Sequence, residues 1–243
     1  MMYKNIFIIL IGMLFFEFSN TREVLFAENK YDLEGTCKLK LYSDLSYHFI
    51  ANKSLCKERI PGHSGTYLVK NDTIFFIGKL NSVFGTTAII KNGFIEFLDG
   101  PEPFKFEIFS QDLVKMDMSE KSRRNDYTIF SYAPTFYKHI FPVAKPYDLT
   151  NEDIRNLDRI LVSCLRKYAV NKKISSYQKQ YVAVLNKHNE KEVWVNCGCK
   201  NAYQLNSFKY SLINVLDGGD CYFRVTINLS KHNYSHFSVN GEA

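Results

Sequence analysis

Six cysteines are the residues best suited to chemistry in this 243-residue chain: Cys37, Cys56, Cys164, Cys197, Cys199 and Cys221. Thiols form disulfides in oxidising compartments and bind soft metals such as Cu(I) or Zn²⁺. Cys197 and Cys199 alternate onto one face of a strand, about 7 Å apart, because each strand residue rises ~3.3 Å. That pair is the metal candidate, but Cys-x-Cys is a short signal. The two Cys-x-x-Cys pairs of a structural zinc site are absent. Cys37 and Cys56 lie on a candidate hairpin, and pairing them would contribute about 3 kcal/mol through loop closure. Cys164 falls on the sheet-facing side of a helix and could meet Cys197 or Cys199. One disulfide with buried thiols is the favoured state of the C-terminal cysteines. Two disulfides and a soft-metal site at Cys197 and Cys199 are the alternatives.

Other reactive residue types do not converge. His232 and His236 are four apart, but a turn and a strand carry them, which separates them by about 13 Å. Asp217 and Asp220 bracket Gly218-Gly219 and read as turn formers rather than an acid–base pair. Trp194 reads as core. The chain has no Gly-x-Ser-x-Gly, no His-Glu-x-x-His and no glycine-rich phosphate loop. No catalytic or cofactor-binding residue is assigned, and no cofactor is expected.

The elements that must position these residues begin after residue 27. One lysine, then an apolar run from Ile6 to Phe16 ended by Glu17, describes a signal peptide over 1–27, with cleavage after Ser19, Asn20 or Ala27. Eleven apolar residues are too few to span a bilayer, which needs ~20, so the membrane enters only through export. The chain is expected to be periplasmic, cell-surface or secreted. Net charge is +6, with 31 basic residues scattered among 25 acidic ones. The densest basic patch is Lys121 to Arg124, too short for a nucleic-acid footprint, and no nucleic-acid partner is expected.

Residues 31–118 read as short strands with a turn every eight to twelve residues, an antiparallel β-barrel or sandwich. Asn92-Gly93 is the clearest hairpin signal. Residues 119–148 read as a linker, polar at first and then aromatic. Its seven aromatics between Tyr127 and Tyr147 are expected to dock on one or both domains. Residues 149–243 read as one helix on an antiparallel sheet. Thr150 and Asp153 form its capping box, and Ile154, Leu157, Ile160, Leu161, Cys164, Leu165 and Tyr168 form its apolar stripe, which runs toward Asn171. Strands follow at Tyr177 to Asn186, Glu192 to Cys199, Ser211 to Leu216, Cys221 to Leu229 and Tyr234 to Val239. In that order a strand intervenes between Cys199 and Cys221 and holds them about 20 Å or more apart. A Cys199–Cys221 bridge would therefore contradict the order. The whole is α+β, a barrel or sandwich followed by a helix-on-sheet domain of cystatin-like order.

Two stretches resemble known families. Gly65-Thr-Tyr-Leu-Val-Lys-Asn-Asp-Thr-Ile74 resembles lipocalin-like β modules of exported Bacteroidota proteins, which implies a small barrel that in some relatives holds an apolar ligand. Trp194 to Cys199, Asp217 to Phe223 and Asn240 to Ala243 resemble a family of uncharacterised exported Bacteroidota proteins with a Trp-Val-Asn-Cys-x-Cys strand and an Asp-Gly-Gly-x-Cys-Tyr-Phe turn. The likeness runs from Thr150 onward and implies no activity. The expected function is that of an exported non-catalytic protein, binding a small ligand or an envelope protein, or structural. The alternative is a thiol- or metal-dependent envelope protein using Cys197 and Cys199.

Overall fold

Eight strands between Glu23 and Gln111 close into an antiparallel barrel. The computed structural model describes residues 21–31, 35–52, 62–78, 84–114, 126–168, 170, 172–200 and 207–241. The barrel strands are β1 (Glu23–Tyr31), β2 (Gly35–Tyr42), β3 (Ser46–Asn52), β4 (His63–Lys70), β5 (Thr73–Gly78), β6 (Thr87–Lys91), β7 (Phe94–Phe97) and β8 (Phe104–Gln111). Each pairs with the next, and β8 pairs back to β1. Closure leaves no long free edge. Asn92 and Gly93 take φ of 53° and 82° between β6 and β7, the positive angles that an Asn-Gly hairpin turn supplies.

Alternation sends one face of every strand inward, and aromatics dominate that face. Tyr47, Phe49, Tyr67, Phe76, Phe84, Phe97 and Phe106 are buried together with Leu25, Leu39, Leu41, Ile74 and Ile95. Their rings meet at centroid distances such as 4.9 Å for Phe49–Phe84 and 5.2 Å for Tyr47–Phe76. Within the described residues the interior is packed with side chains rather than hollow. Gly65 permits that packing: a Cβ there would lie 2.3 Å from the Ile77 carbonyl and 2.7 Å from the Tyr47 ring.

Several expected boundaries move. The barrel starts at Glu23, not residue 31, and Val24, Leu25 and Ala27 lie in its core. A chain cut after Ala27 would lose half of β1, whereas a cut after Ser19 or Asn20 keeps it whole. The apolar run of the signal-peptide reading lies outside the described residues. The strand expected over Leu113 to Met118 is absent as far as Val114, beyond which the chain is not described. Residues 119–148 are not a linker from end to end. They supply β9 (Tyr127–Phe130), the short α1 (Pro134–Tyr137) and β10 (Ala144–Pro146).

The helix α2 (Asn151–Lys167) starts as the capping signal dictates. Asp153 N–H donates to Thr150 Oγ1 at 3.1 Å, and Thr150 N–H donates back to Asp153 Oδ2 at 2.9 Å. Burial pushes the Asp153 carboxyl up, but hydrogen bonds from Thr150, Lys191 and Tyr147 outweigh it and hold the group below its ordinary value. Thr150→Ala is expected to cost about 1 kcal/mol, read as a lower midpoint in thermal or urea unfolding. The helix stops at Lys167, short of Asn171.

Four further strands complete the second sheet: β11 (Tyr177–Asn186), β12 (Lys191–Cys199), β13 (Tyr222–Asn228) and, at the edge, β14 (Asn233–Val239). β11 also pairs directly with β9, in parallel from Lys179 to Val182, and with β10, antiparallel from Val184 to Asn186. One sheet face carries Tyr181, Val193, Val195, Cys197, Phe223, Val225 and Ile227 against Leu157, Leu161 and Cys164 of α2. The other carries Val182, Val184 and Trp194 beneath Tyr132, Tyr137 and Phe141 of the aromatic segment. The sheet is thus covered on both sides, which its near-continuous apolar β11 and β12 reflect.

The expected strand at Ser211 to Leu216 does not form. That segment leaves the sheet and meets the barrel at a β-bridge between Ser211 and Phe104. With nothing between them, β12 pairs β13 directly, Gly198 opposite Tyr222. Cys199 and Cys221 become neighbours, and they are disulfide-bonded, with Cα atoms 4.9 Å apart. The bridge judged incompatible with the expected strand order is therefore present, because the order was wrong by one strand. Gly218 and Gly219 do take positive φ, 88° and 55°, but lead into a 3₁₀ turn rather than a two-strand hairpin.

Candidate functional site

The barrel and the second sheet meet through buried polar groups. Glu96 of β7 and Lys105 of β8 are cross-strand partners whose alternation points them out of the barrel. β9 lies across them. Lys105 Nζ donates to the Ile129 carbonyl and to Thr128 Oγ1, and Ser131 N–H donates to Glu96 Oε1 at 2.6 Å. The pair thus satisfies the edge of β9 that faces away from β11, one donor for a carbonyl and one acceptor for an amide. The ammonium sits 3.7 Å from the Phe130 ring centroid and 5.1 Å from that of Phe94. Burial brings the Lys105 ammonium down to about 8, with Glu96 resisting that fall. The chain after residue 206 adds to the seam: Lys105 N–H donates to the Tyr210 carbonyl, and Tyr210 Oη donates to Glu107.

Beside this seam runs a groove of about 370 Å³. The β7–β8 loop (Pro101, Glu102, Pro103), the α1 region (Phe136, Tyr137, His139), Leu212 to Asn214, and the sheet residues Trp194 and Arg224 form its walls. Two buried amides hold the 208–213 segment over the sheet. Gln180 Nε2 donates to the Phe208 and Ser211 carbonyls, both at 2.7 Å, and Gln180 Oε1 accepts from Ile213 N–H. Asn196 Nδ2 donates to Gln180 Oε1 at 2.9 Å and to the Ile213 carbonyl at 2.8 Å. Asn196 Oδ1 is left to accept from Arg224 Nε, a longer contact at 3.4 Å. Arg224 and Asn196 are cross-strand partners, and Trp194 is two residues along from Asn196 on the same face. Tyr137 closes the inner end, 6.3 Å from Trp194 ring to ring. Burial first, and Glu96 second, push the Tyr137 hydroxyl well above its ordinary value.

No family model, curated protein or solved structure matches this chain.

The residues singled out for chemistry are dispersed. Cys197 is buried on the α2-facing side of the sheet, and Cys164 faces it from the helix; both are free thiols. Burial raises the Cys164 thiol to about 11 and Cys197 further still. A thiol needs its thiolate form to attack or to bind metal, so both are inert at neutral pH. Cys199 is held in the disulfide. Cys37 is in the barrel core, and Cys56 lies outside the described residues. Among the described residues no three His, Cys, Asp or Glu side chains converge as a metal-binding group. His232 and His236 are exposed, at φ of 53° and 52°. Asp220 pairs with Lys172 beside the turn that it shares with Asp217. Trp194, read as core, is half-buried in the groove wall.

Arg224, Asn196 and Gln180 were not singled out by sequence. The usable signals were the polar alternate face of β13, with Tyr222, Arg224, Thr226 and Asn228, and two amides within otherwise apolar strands.

Proposed function

We propose that this is an exported, non-catalytic binding protein whose recognition site is the groove between barrel and sheet. The observation that carries this reading is the groove itself. It is concave, walled by five separate stretches of chain, lined by Phe136, Tyr137 and Trp194 among other apolar residues, and provided with polar groups, as small-ligand sites are. The short apolar run near residue 6 and the Cys199–Cys221 disulfide favour export to a periplasmic, surface or secreted location. Among the described residues no helix is long and apolar enough to cross a membrane. The closed up-and-down order favours a lipocalin-like barrel, here with its described interior filled. We read the second module as cystatin-like in its helix-on-sheet layering and as akin to the exported Bacteroidota family. A small ligand is the expected partner, with an envelope protein as the other class; nucleic acid is not expected. A disulfide at Cys199 and burial at Cys197 give no support to the thiol- or metal-dependent alternative.

Trp194 is the single tryptophan of the chain, so its emission reports on the groove without labelling. A panel of small metabolites is expected to contain compounds that shift that emission saturably in the native protein, and Leu212→Glu is expected to weaken them. A panel that leaves the emission unchanged, alongside native mass spectra of host-exported protein free of any bound mass, would refute the reading.

A further inference from the structure

Resting on the reading of the groove as a binding site, we propose that its ligand is a small organic carboxylate with a flat apolar body. Arg224 carries this inference. Its Nε is tied to Asn196, and Asn196 is tied in turn to Gln180 and the Ile213 carbonyl. That single contact, 3.4 Å long, turns the Nε side of the guanidinium toward the buried amide chain. Among the described residues it has no ion-pair partner, and its two terminal nitrogens have no hydrogen-bond acceptor. A guanidinium fork with its Nε side occupied presents those two nitrogens to an incoming anion. Trp194 lies diagonal to it across β12 and β13, and Phe136 and Leu212 complete an apolar wall. A flat body packs against such a wall while its head reaches Arg224.

The charge of the groove selects among anions. Among the described lining residues Arg224 is the one arginine or lysine, His139 is the other basic side chain, and Glu102 stands at the exposed rim. One guanidinium matches a monoanion. A phosphate monoester carries about −1.5 to −2 at neutral pH and would be left under-compensated and repelled by Glu102. The volume, about 370 Å³, falls at the low end of small-ligand pockets, which limits the body to one or two rings.

The test uses Trp194 emission with three probes on the intact protein: 3-phenylpropionate, its neutral amide and phenyl phosphate. The carboxylate is expected to saturate, with the amide and the phosphate each about tenfold weaker or more. Arg224→Gln is expected to bring the carboxylate down to the level of the amide and leave the amide unchanged; Arg224→Lys, which keeps the charge but not the fork, should fall between. Equal affinity for carboxylate and amide, or tighter binding of the phosphate, would overturn the carboxylate assignment while leaving the groove as a binding site. No saturable response to any of the three overturns it too, and the broader panel then decides the groove reading separately. The comparison among probes needs no variant, so it holds even where a substitution at Arg224 impairs folding.

Discussion

Lys105→Ala is expected to destabilise the protein by about 3–5 kcal/mol, the range for removing one partner of a buried charged group. Three losses combine. The Ile129 carbonyl and Thr128 hydroxyl lose their donor, the rings of Phe130 and Phe94 lose the cation they flank, and Glu96, 3% exposed, loses its cross-strand partner. Because Lys105 belongs to the barrel and its hydrogen-bond acceptors, with Phe130, to β9 of the second sheet, the damage falls on the seam. Urea unfolding of the variant is expected to lose its single transition and separate into two. Lys105→Met with Glu96→Gln removes both charges, keeps an acceptor for Ser131 N–H, and should recover part of the loss. A single alanine variant with unchanged midpoint would show that the seam does not depend on this pair.

The same group sets a pH dependence whose sign follows from its depressed value. Lys105 falls from its ordinary 10.5 to about 8, chiefly by burial. Below pH 8 it is charged in both folded and unfolded chains, and the cost of burying the ammonium is fully present. Between pH 8 and 10.5 the unfolded chain holds the proton and the folded chain releases it, so stability rises with pH across that window. The span corresponds to roughly 3 kcal/mol. Buried tyrosines oppose it at the top of the window. Burial raises the hydroxyls of Tyr137, Tyr181 and Tyr177, so the unfolded chain ionises them first and stability falls as pH passes 10. The difference in unfolding free energy between wild type and Lys105→Met isolates the lysine: it is expected to grow from pH 8 to 10, and a flat difference would contradict the assignment.

Loss of the Cys199–Cys221 disulfide, by Cys199→Ala with Cys221→Ala or by reduction, is expected to cost about 3 kcal/mol, the loop-closure value for a separation of 22 residues. The larger consequence is local. The bridge closes the excursion that leaves β12, crosses to the barrel and returns as β13, and that excursion carries Leu212 to Asn214 into the groove. Trp194 emission is expected to shift toward that of an exposed indole before global unfolding. Alkylation of the native oxidised protein followed by peptide mapping should leave Cys164 and Cys197 unmodified, since both are buried and protonated. Fast labelling of Cys197 would revive the thiol-dependent alternative.

Local signals settled much of this chain. The Asn92-Gly93 hairpin, the Thr150–Asp153 capping box, the apolar stripe of α2, and strands β11, β12 and β13 all follow from side-chain period and turn chemistry within a dozen residues. The α+β class and the barrel or sandwich follow from the same patterns. Pairing across longer distances did not. Ser211 to Leu216 has the β-branched composition of a strand, yet the edge it would have taken on β12 belongs to β13. Its backbone is satisfied instead by Gln180, Asn196 and the β8 edge. The aromatic segment gave no period-two signal, because β9 and β10 are only four and three residues long and exist by docking on β11. Lys105 and Glu96 resemble any solvated cross-strand pair until another module is laid over them. The sequence by itself determined the local elements and their buried faces, because those depend on neighbours three or four residues away. Only the tertiary structure decided which cysteines join, which charges are buried and where the groove lies, because each depends on segments brought together from distant parts of the chain.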